Sequence, residues 1–330
     1  MIKVGLIGCG TMGRVHGEAY AALPGARLMA VTDVRRHLAE EVAAFSHAEV
    51  MADAEALIAR PELDAIDICV PTPLHKDLIL KAAASRKHIF TEKPLARTLD
   101  EGREVLEAVG KAGVKLMVGH VLRFSPPYQK AREALTQGRI GRPGVVRTTR
   151  GGGGFPTAWQ DWYASIPMSG GIMLDMLIHD LDFLRWCFGD VERVYAKTTL
   201  NREIGRYEYA LIVLRFKSGV IAHVEGTWHD VGGFFYGYEI AGDGGLLSFD
   251  SRTSTPIRTV TFDQEAGRTA GVAIPENPTA ENPYQLEISH FVDCLESGTE
   301  PAVTGEDGYK AMEIALAAIK SAETGEPVTL

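Results

Sequence analysis

The sequence predicts an α/β fold in two parts, an N-terminal doubly wound parallel sheet and a C-terminal α/β part built on a large, open, mostly antiparallel sheet. Three observations predict it. Short, wholly apolar runs alternate with helix-like stretches up to about Gly119. Strand-like runs then succeed one another with few helices between them, and a glycine turn closes the first apolar run, Ile2 to Ile7. At 330 residues, with 45% hydrophobic and 23% charged side chains, the chain has ordinary globular composition and enough length for two cores.

Ile2 to Ile7 reads as a strand, and Arg14 to Leu23 as a helix stopped by Pro24 and Gly25. Further apolar strands are expected at Arg27 to Thr32, Ala65 to Val70, His88 to Thr91 and Lys115 to Val118. Helices are expected between them at Leu38 to Phe45, Leu74 to Ser85 and Leu99 to Ala112. Strands that are apolar throughout belong in a parallel sheet covered on both faces. In the second part, strands are expected at Val145 to Thr149, Val194 to Thr199, Ala210 to Phe216, Val220 to Thr227, Tyr236 to Ala241, Leu246 to Phe249 and Arg258 to Phe262. Lys217-Ser218-Gly219 and Gly242 to Gly245 read as hairpin connections. One helical insertion, Gly171 to Phe188, interrupts this series, and helices return at Pro283 to Glu296 and Glu306 to Glu323. The expected domains are 1–122 and 123–330, with the last helix open to packing on either.

A formal net charge of −9 argues against a nucleic-acid partner, which needs a clustered basic face. The first strand meets glycines too soon for a signal peptide or membrane helix, so no membrane partner and a cytoplasmic location are expected. Cys9, Cys69, Cys187 and Cys294 are widely spaced and form no CxxC pair, which predicts reduced thiols and no metal centre.

Gly8-Cys9-Gly10-Thr11-Met12-Gly13 follows a strand and opens a helix, the context that turns a weak GxGxxG pattern into a dinucleotide fingerprint of the Rossmann type. Gly8 permits the turn, Gly10 admits a pyrophosphate, and Gly13 lets helix and sheet pack closely. The amides at the helix start, around Thr11 and Met12, then face phosphate. Asp33, 20 positions beyond Gly13, is placed to accept the adenosine ribose hydroxyls, which favours NAD. Arg35 and Arg36 keep NADP open as the alternative, since a guanidinium there would pair with a 2′-phosphate.

Lys93, in Glu92-Lys93-Pro94, leaves a strand at the carboxyl edge of the sheet, where ligands of open α/β folds bind. Pro71, Thr72 and His75 end the preceding strand in the same way and are expected to line the nicotinamide ribose. In the second part, Ser169-Gly170-Gly171 leads into a helical stretch on which Asp175 and His179 stand at i and i+4 on one face. A carboxylate beside an imidazole suits a general base, and a purely structural pair is the alternative. Gly151 to Gly154 lacks the Lys-Ser/Thr of a phosphate loop, and His223 and His229 read as sheet-surface residues. Trp159 to Tyr163 suits a sugar face, an apolar core or an oligomer contact equally.

Together the glycine turn, Glu92-Lys93-Pro94, Gly119 to Phe124, Gly170-Gly171 through Asp175 to His179, and Val303 to Gly308 resemble the glucose-fructose oxidoreductase, inositol dehydrogenase and rhizopine-catabolism family along nearly the whole chain. The resemblance implies a Rossmann domain followed by a substrate and oligomerisation domain, assembling as a homodimer or homotetramer through its open sheet. It implies NAD-dependent oxidation of a secondary hydroxyl on a cyclitol, sugar or sugar derivative. By position, His179 corresponds to the acid/base, Asp175 to its partner and Lys93 to the ammonium that polarises the hydroxyl. Glu92 falls beside the cofactor, and Arg123, Tyr236 and Tyr284 fall near the polyol. Two other readings stay open: a lyase or glycosidase that oxidises its substrate only transiently, and a catalytically silent NAD(P)-sensing regulator.

Overall fold

In the computed structural model, residues 1–154, 156, 158–201, 207–229, 232–253 and 282–330 are described. The chain divides into two units, Met1–Phe124 with Glu281–Met312, and Ser125–Ala280 with Glu313–Leu330.

The first unit follows the expected alternation. Strands β1 (Ile2–Ile7), β2 (Ala26–Thr32), β3 (Glu49–Val50), β4 (Ala65–Ile68), β5 (His88–Glu92) and β6 (Leu116–Gly119) form one sheet in the order β3-β2-β1-β4-β5-β6. Every pair is parallel. Between them run α1 (Thr11–Ala22), α2 (Arg36–Ser46), α3 (Ala54–Ile58), α4 (His75–Ala84) and α5 (Leu99–Ala112). Their starts are partly written in the sequence: Thr98 and Glu101 close a reciprocal capping box on α5, and Asp53 caps α3. The order reverses between β1 and β4, which creates the crevice at their carboxyl ends.

The second unit contains α6 (Pro126–Thr136), β7 (Pro143–Gly151), α7 (Ile166–Ser169), α8 (Gly171–Asp175), α9 (Ile178–Phe188), β8 (Val191–Asn201), β9 (Tyr207–Phe216), β10 (Ile221–Thr227), β11 (Phe235–Gly242) and β12 (Gly245–Asp250). Its sheet runs β12-β11-β7-β10-β9-β8-β13, the last being β13 (Val328–Thr329) from the C-terminus. All neighbours are antiparallel except β7 and β10, and both expected hairpins are present. Alternation divides the faces cleanly. Val146, Ala222, Val224, Ile212 and Leu214 are buried on one face, while Ile221, His223, Leu211 and Val145 belong to the other, solvent-facing one. The strand expected at Arg258 to Phe262 lies outside the described residues.

Two departures follow from tertiary packing. Helix α10 (Pro283–Ser297), placed by chain order in the second part, packs against α1 of the first unit and sets Phe291 edge-on to Phe90 with ring centroids 5.5 Å apart. Helix α11 (Gly305–Thr324) follows it, and Gly102 of α5 meets Tyr309 and Met312 so closely that a Cβ there would lie 2.7 Å from the Met312 methyl. The second departure is that the expected helix Gly171 to Phe188 is broken at Met176 and Leu177, so Asp175 closes α8 while His179 stands in the first turn of α9. Leu177 seats on β10 where Gly226 has no side chain; a Cβ there would come within 2.5 Å of it.

Candidate active site

The glycine turn is built by close approach rather than by flexibility. Gly8 has φ +91, and a Cβ on it would lie 2.4 Å from the Cys69 carbonyl oxygen at the end of β4. A Cβ on Gly13 would lie 1.9 Å from the Gly8 carbonyl oxygen. At Gly10 the nearest atom to such a Cβ is Nη2 of Arg35 at 3.5 Å, so the turn is open on the side that a pyrophosphate needs. Helix α1 has neither a side-chain cap nor an acidic residue in its first turn, which leaves its amide dipoles to an anion.

Asp33 follows β2. Its Oδ2 accepts the Cys9 N–H at 2.8 Å and its Oδ1 accepts the Arg35 N–H at 2.7 Å, so the carboxylate is fixed against the turn with a further lone pair on Oδ2 for a ribose hydroxyl. The Arg35 Nε lies 3.4 Å from the same Oδ1, so this guanidinium already has a carboxylate partner. Burial and the nearby Asp33 push the Cys9 thiol up to about 12, and it stays protonated. These features fit NAD, in which nothing at the ribose adds charge beside Asp33.

On the other side of the crevice, Lys93 follows β5. Between Ile89 and Ala96 it alone is not fully buried. His75, expected at the cofactor, is instead 1% exposed, and its Nδ1 and Nε2 lie 2.7 and 2.8 Å from the carbonyl oxygens of Pro94 and Val70. Burial pulls its pKa below the ordinary imidazole value although both carbonyls work against this, and the ring lies between Val70, at the start of the Pro71–Thr72 segment, and Pro94. Thr72 is buried too. Glu92 is likewise turned inward, with Oε2 accepting its own Lys93 N–H at 3.1 Å and Oε1 3.3 Å from His16 Nε2.

Arg123, expected at a polyol, is 5% exposed and committed elsewhere: Nη1 donates to the Ala302 carbonyl at 3.0 Å and Nη2 lies 3.2 Å from Asp307 Oδ1. Burial raises the Asp307 carboxyl, but Arg123 and the Thr304 N–H more than offset this and leave it below the usual range. Because this acid is depressed on folding, its contribution is fully present above about pH 3.9 and is lost as pH falls through the lower folded value. Urea titrations of Asp307→Asn against the parent should therefore show a stability gap at neutral pH that closes in strong acid. A gap independent of pH would contradict the ion pair. Tyr284 stands in the first turn of α10, half-buried.

In the second unit, Gly170 and Gly171 have φ +78 and +72, a double left-handed turn that starts α8. The buried Glu208 carboxylate accepts the Ile172 N–H at 3.0 Å and fixes that start. Asp175 at the end of α8 is 4% exposed. From Ser169 to Leu184, His179 alone is not fully buried. The next residue, Asp180, is paired with Arg150 of β7 through Nε at 2.5 Å. Tyr236 is half-buried, its ring 5.3 Å from the Arg150 guanidinium carbon. Sequence reasoning missed both Arg150 and His16. Asp67, the lone charge inside the apolar strand Ala65 to Val70, was the available signal for a buried partner such as His16, while Arg150 lies just past the expected strand Val145 to Thr149 and carried no such signal.

Gly152, Gly153 and Gly154 have φ between +76 and +87 at the end of β7. All four cysteines are unpaired by disulfides. Among the described residues no helix is long and apolar enough to cross a membrane.

Residues 2–120 match the NAD-binding Rossmann-fold model of an oxidoreductase family, and residues 128–248 match the GFO/IDH/MocA C-terminal domain. The chain is 34% identical to a myo-inositol 2-dehydrogenase of Thermotoga maritima over all of itself and 98% of that protein. It is 31% identical to the NAD(+)-dependent scyllo-inositol 2-dehydrogenase of Bacillus subtilis, over all of itself and 96% of the relative. A crystal structure of a myo-inositol dehydrogenase from Corynebacterium glutamicum superposes with TM-score 0.84 at 28% identity, covering 100% of this chain and 99% of that one. Identity of this extent along the whole chain, together with the fingerprint geometry at Gly8 to Asp33, makes the protein a member of the GFO/IDH/MocA family of NAD-dependent oxidoreductases.

Proposed function

We propose that this dehydrogenase oxidises, reversibly, a secondary hydroxyl of a cyclitol, or of a sugar or sugar derivative, with Lys93, Asp175 and His179 as its reactive groups. The observation that carries this reading is the isolated exposure of Lys93 and His179, each the one accessible side chain in an otherwise buried run. Burying so much backbone around a single polar group holds that group in place, as a reacting residue requires. The inositol dehydrogenases among the relatives favour a cyclitol.

In the oxidation direction His179 takes the hydroxyl proton, and the adjoining Asp175 favours the resulting imidazolium. Lys93 donates to the hydroxyl oxygen and stabilises negative charge as the O–H bond breaks. NAD, when bound, accepts the hydride from the carbinol carbon, leaving a ketone. Gly8, Gly10, Thr11, Met12, Gly13 and Asp33 hold its adenosine and pyrophosphate. Pro71 and Thr72 shape the nicotinamide side, and Tyr236 and Tyr284 contact the polyol. The solvent-facing side of the second sheet presents Val145, Leu211, Ile221 and Leu246, each at least 36% exposed, beside Arg147, Glu225 and Arg215. We read it as the contact of a homodimer or homotetramer, and the protein as cytoplasmic.

The decisive measurement is a screen of NADH formation over inositols, aldoses, sugar acids and glycosides, repeated with NADP. One NADH per oxidised cyclitol or sugar is expected, with NADP the poorer acceptor. Glycoside cleavage with no accumulating NADH, or no turnover across the whole panel, would overturn the proposal.

A further inference from the structure

Beneath the glycine turn, a group of ionisable side chains that the proposed reaction does not use is sealed inside the first unit. His16 stands on α1 three residues after Gly13 and is wholly buried. Its Nδ1 lies 2.9 Å from Asp67 Oδ2 of β4, and its Nε2 lies 3.3 Å from Glu92 Oε1 at the end of β5. Cys69 Sγ is 3.2 Å from the same Nδ1 and 3.3 Å from Asp67 Oδ1. Phe90 meets the imidazole edge-on, with centroids 5.2 Å apart. Tyr20 of α1 and Glu287 of α10 are buried around this group as well.

His16, Asp67 and Cys69 offer a nitrogen, an oxygen and a sulfur within 4.8 Å of one another, a set that invites a metal. The spacing argues for protons instead. Tetrahedral N and O ligands at about 2.0–2.1 Å from zinc stand about 3.3 Å apart, and thiolate sulfur at about 2.3 Å stands farther still. The separations of 2.9 and 3.2 Å are hydrogen-bond lengths. Two carboxylates buried on either side of one imidazole call for a proton on each ring nitrogen. Burial pulls the His16 pKa down, but Cys69 and Asp67 more than reverse this and raise it well above the ordinary value. Burial raises Glu92, yet His16 and Lys93 bring it below the usual range.

We propose that His16 is a positioning residue for Lys93: its imidazolium, held by Asp67 on one side and Glu92 on the other, keeps Glu92 ionised and aimed at the Lys93 backbone N–H. The geometry forms one line from the helix that opens the dinucleotide turn, through His16 and Glu92, to the residue that carries the ammonium. Removing the imidazolium leaves Glu92 a buried carboxylate that must take up a proton or turn away. Either outcome lets the Lys93 backbone shift, and about 1 Å of misplacement costs about 10²-fold in rate. This inference rests on the role proposed above for Lys93, but its first test does not.

Nitrogen-15 NMR of the histidines in the apoprotein, at about pH 8 and thus well above the ordinary imidazole value of about 6.5, should show His16 protonated on both nitrogens. A neutral His16 overturns the proposal whatever the enzyme turns over. With a substrate in hand, His16→Gln should lower kcat by about 10²-fold while NAD affinity, measured by calorimetry, is retained. The deficit should deepen as pH is lowered and Glu92 protonates. Should His16→Gln not fold, Glu92→Gln keeps the His16–Asp67 pair and a carbonyl oxygen for the Lys93 N–H, and should give a deficit that does not vary with pH. Unchanged kcat in a folded variant at every pH overturns the proposal. A parent enzyme that reduces NAD on no substrate counts against the proposed function and leaves the NMR result to decide His16.

Discussion

Replacing His179 with alanine is expected to lower kcat by about 10²–10⁴-fold, with substrate KM and NAD affinity little changed. Stopped-flow measurement of NADH formation under single-turnover conditions would check it. The size follows from the imidazole's place as the one accessible side chain from Ser169 to Leu184. Alanine leaves water as the base, and water is a far poorer proton acceptor than imidazole near pH 7. Uniform binding is untouched, so the loss should appear in kcat. The reduction direction should suffer equally, because the same group must return the proton. A variant that retained full turnover in both directions would remove His179 from the chemistry.

The second large effect is on stability. Arg150→Met is expected to destabilise the second unit by about 3–5 kcal/mol, read as a fall in the urea midpoint. The Arg150 and Asp180 side chains are 5% and 0% exposed, with Nε 2.5 Å from Oδ2 and Nη2 3.5 Å from Oδ1. Burial works against the guanidinium charge, yet Asp180 more than offsets it and raises the Arg150 pKa. Methionine replaces most of the stem but strands a fully buried carboxylate near Tyr128. The double variant Arg150→Met with Asp180→Asn should recover much of the loss, because it buries no unpaired charge. Failure of that recovery would mean that Arg150 stabilises through packing on Tyr236 rather than through charge. Asp180 neighbours His179, so the single variant should also turn over slowly.

Local signals carried most of the first unit. The apolar strands and the glycine turn act over a few residues and were readable as written. β3 and β13 escaped notice because two residues hold no periodicity; each exists only because a neighbouring strand pairs with it. The helix α6 begins at Pro126-Pro127, which reads as a breaker although proline is well suited to a first helical turn. The break between α8 and α9 lies in a run buried on every side, so no polar stripe marks where the helix turns. At the site, residues expected from motifs divided by burial. Lys93 and His179 reach an accessible surface, while His75, Glu92 and Arg123 serve as braces within the fold. A motif preserves both kinds of residue and cannot tell them apart, because what separates them is the direction a side chain takes.

The return of α10 to the first unit also bears on the order in which the protein can be made. Phe90 and Phe291, about 1.5–3 kcal/mol of buried surface apiece, meet only after the whole of 125–280 has left the ribosome. At about 5–20 residues per second, that is a wait of roughly ten to thirty seconds. During that interval the nascent dinucleotide fold presents the α1 face that α10 will cover. The second unit, although later in the chain, has nearly all of its sheet strands synthesised before the first can close.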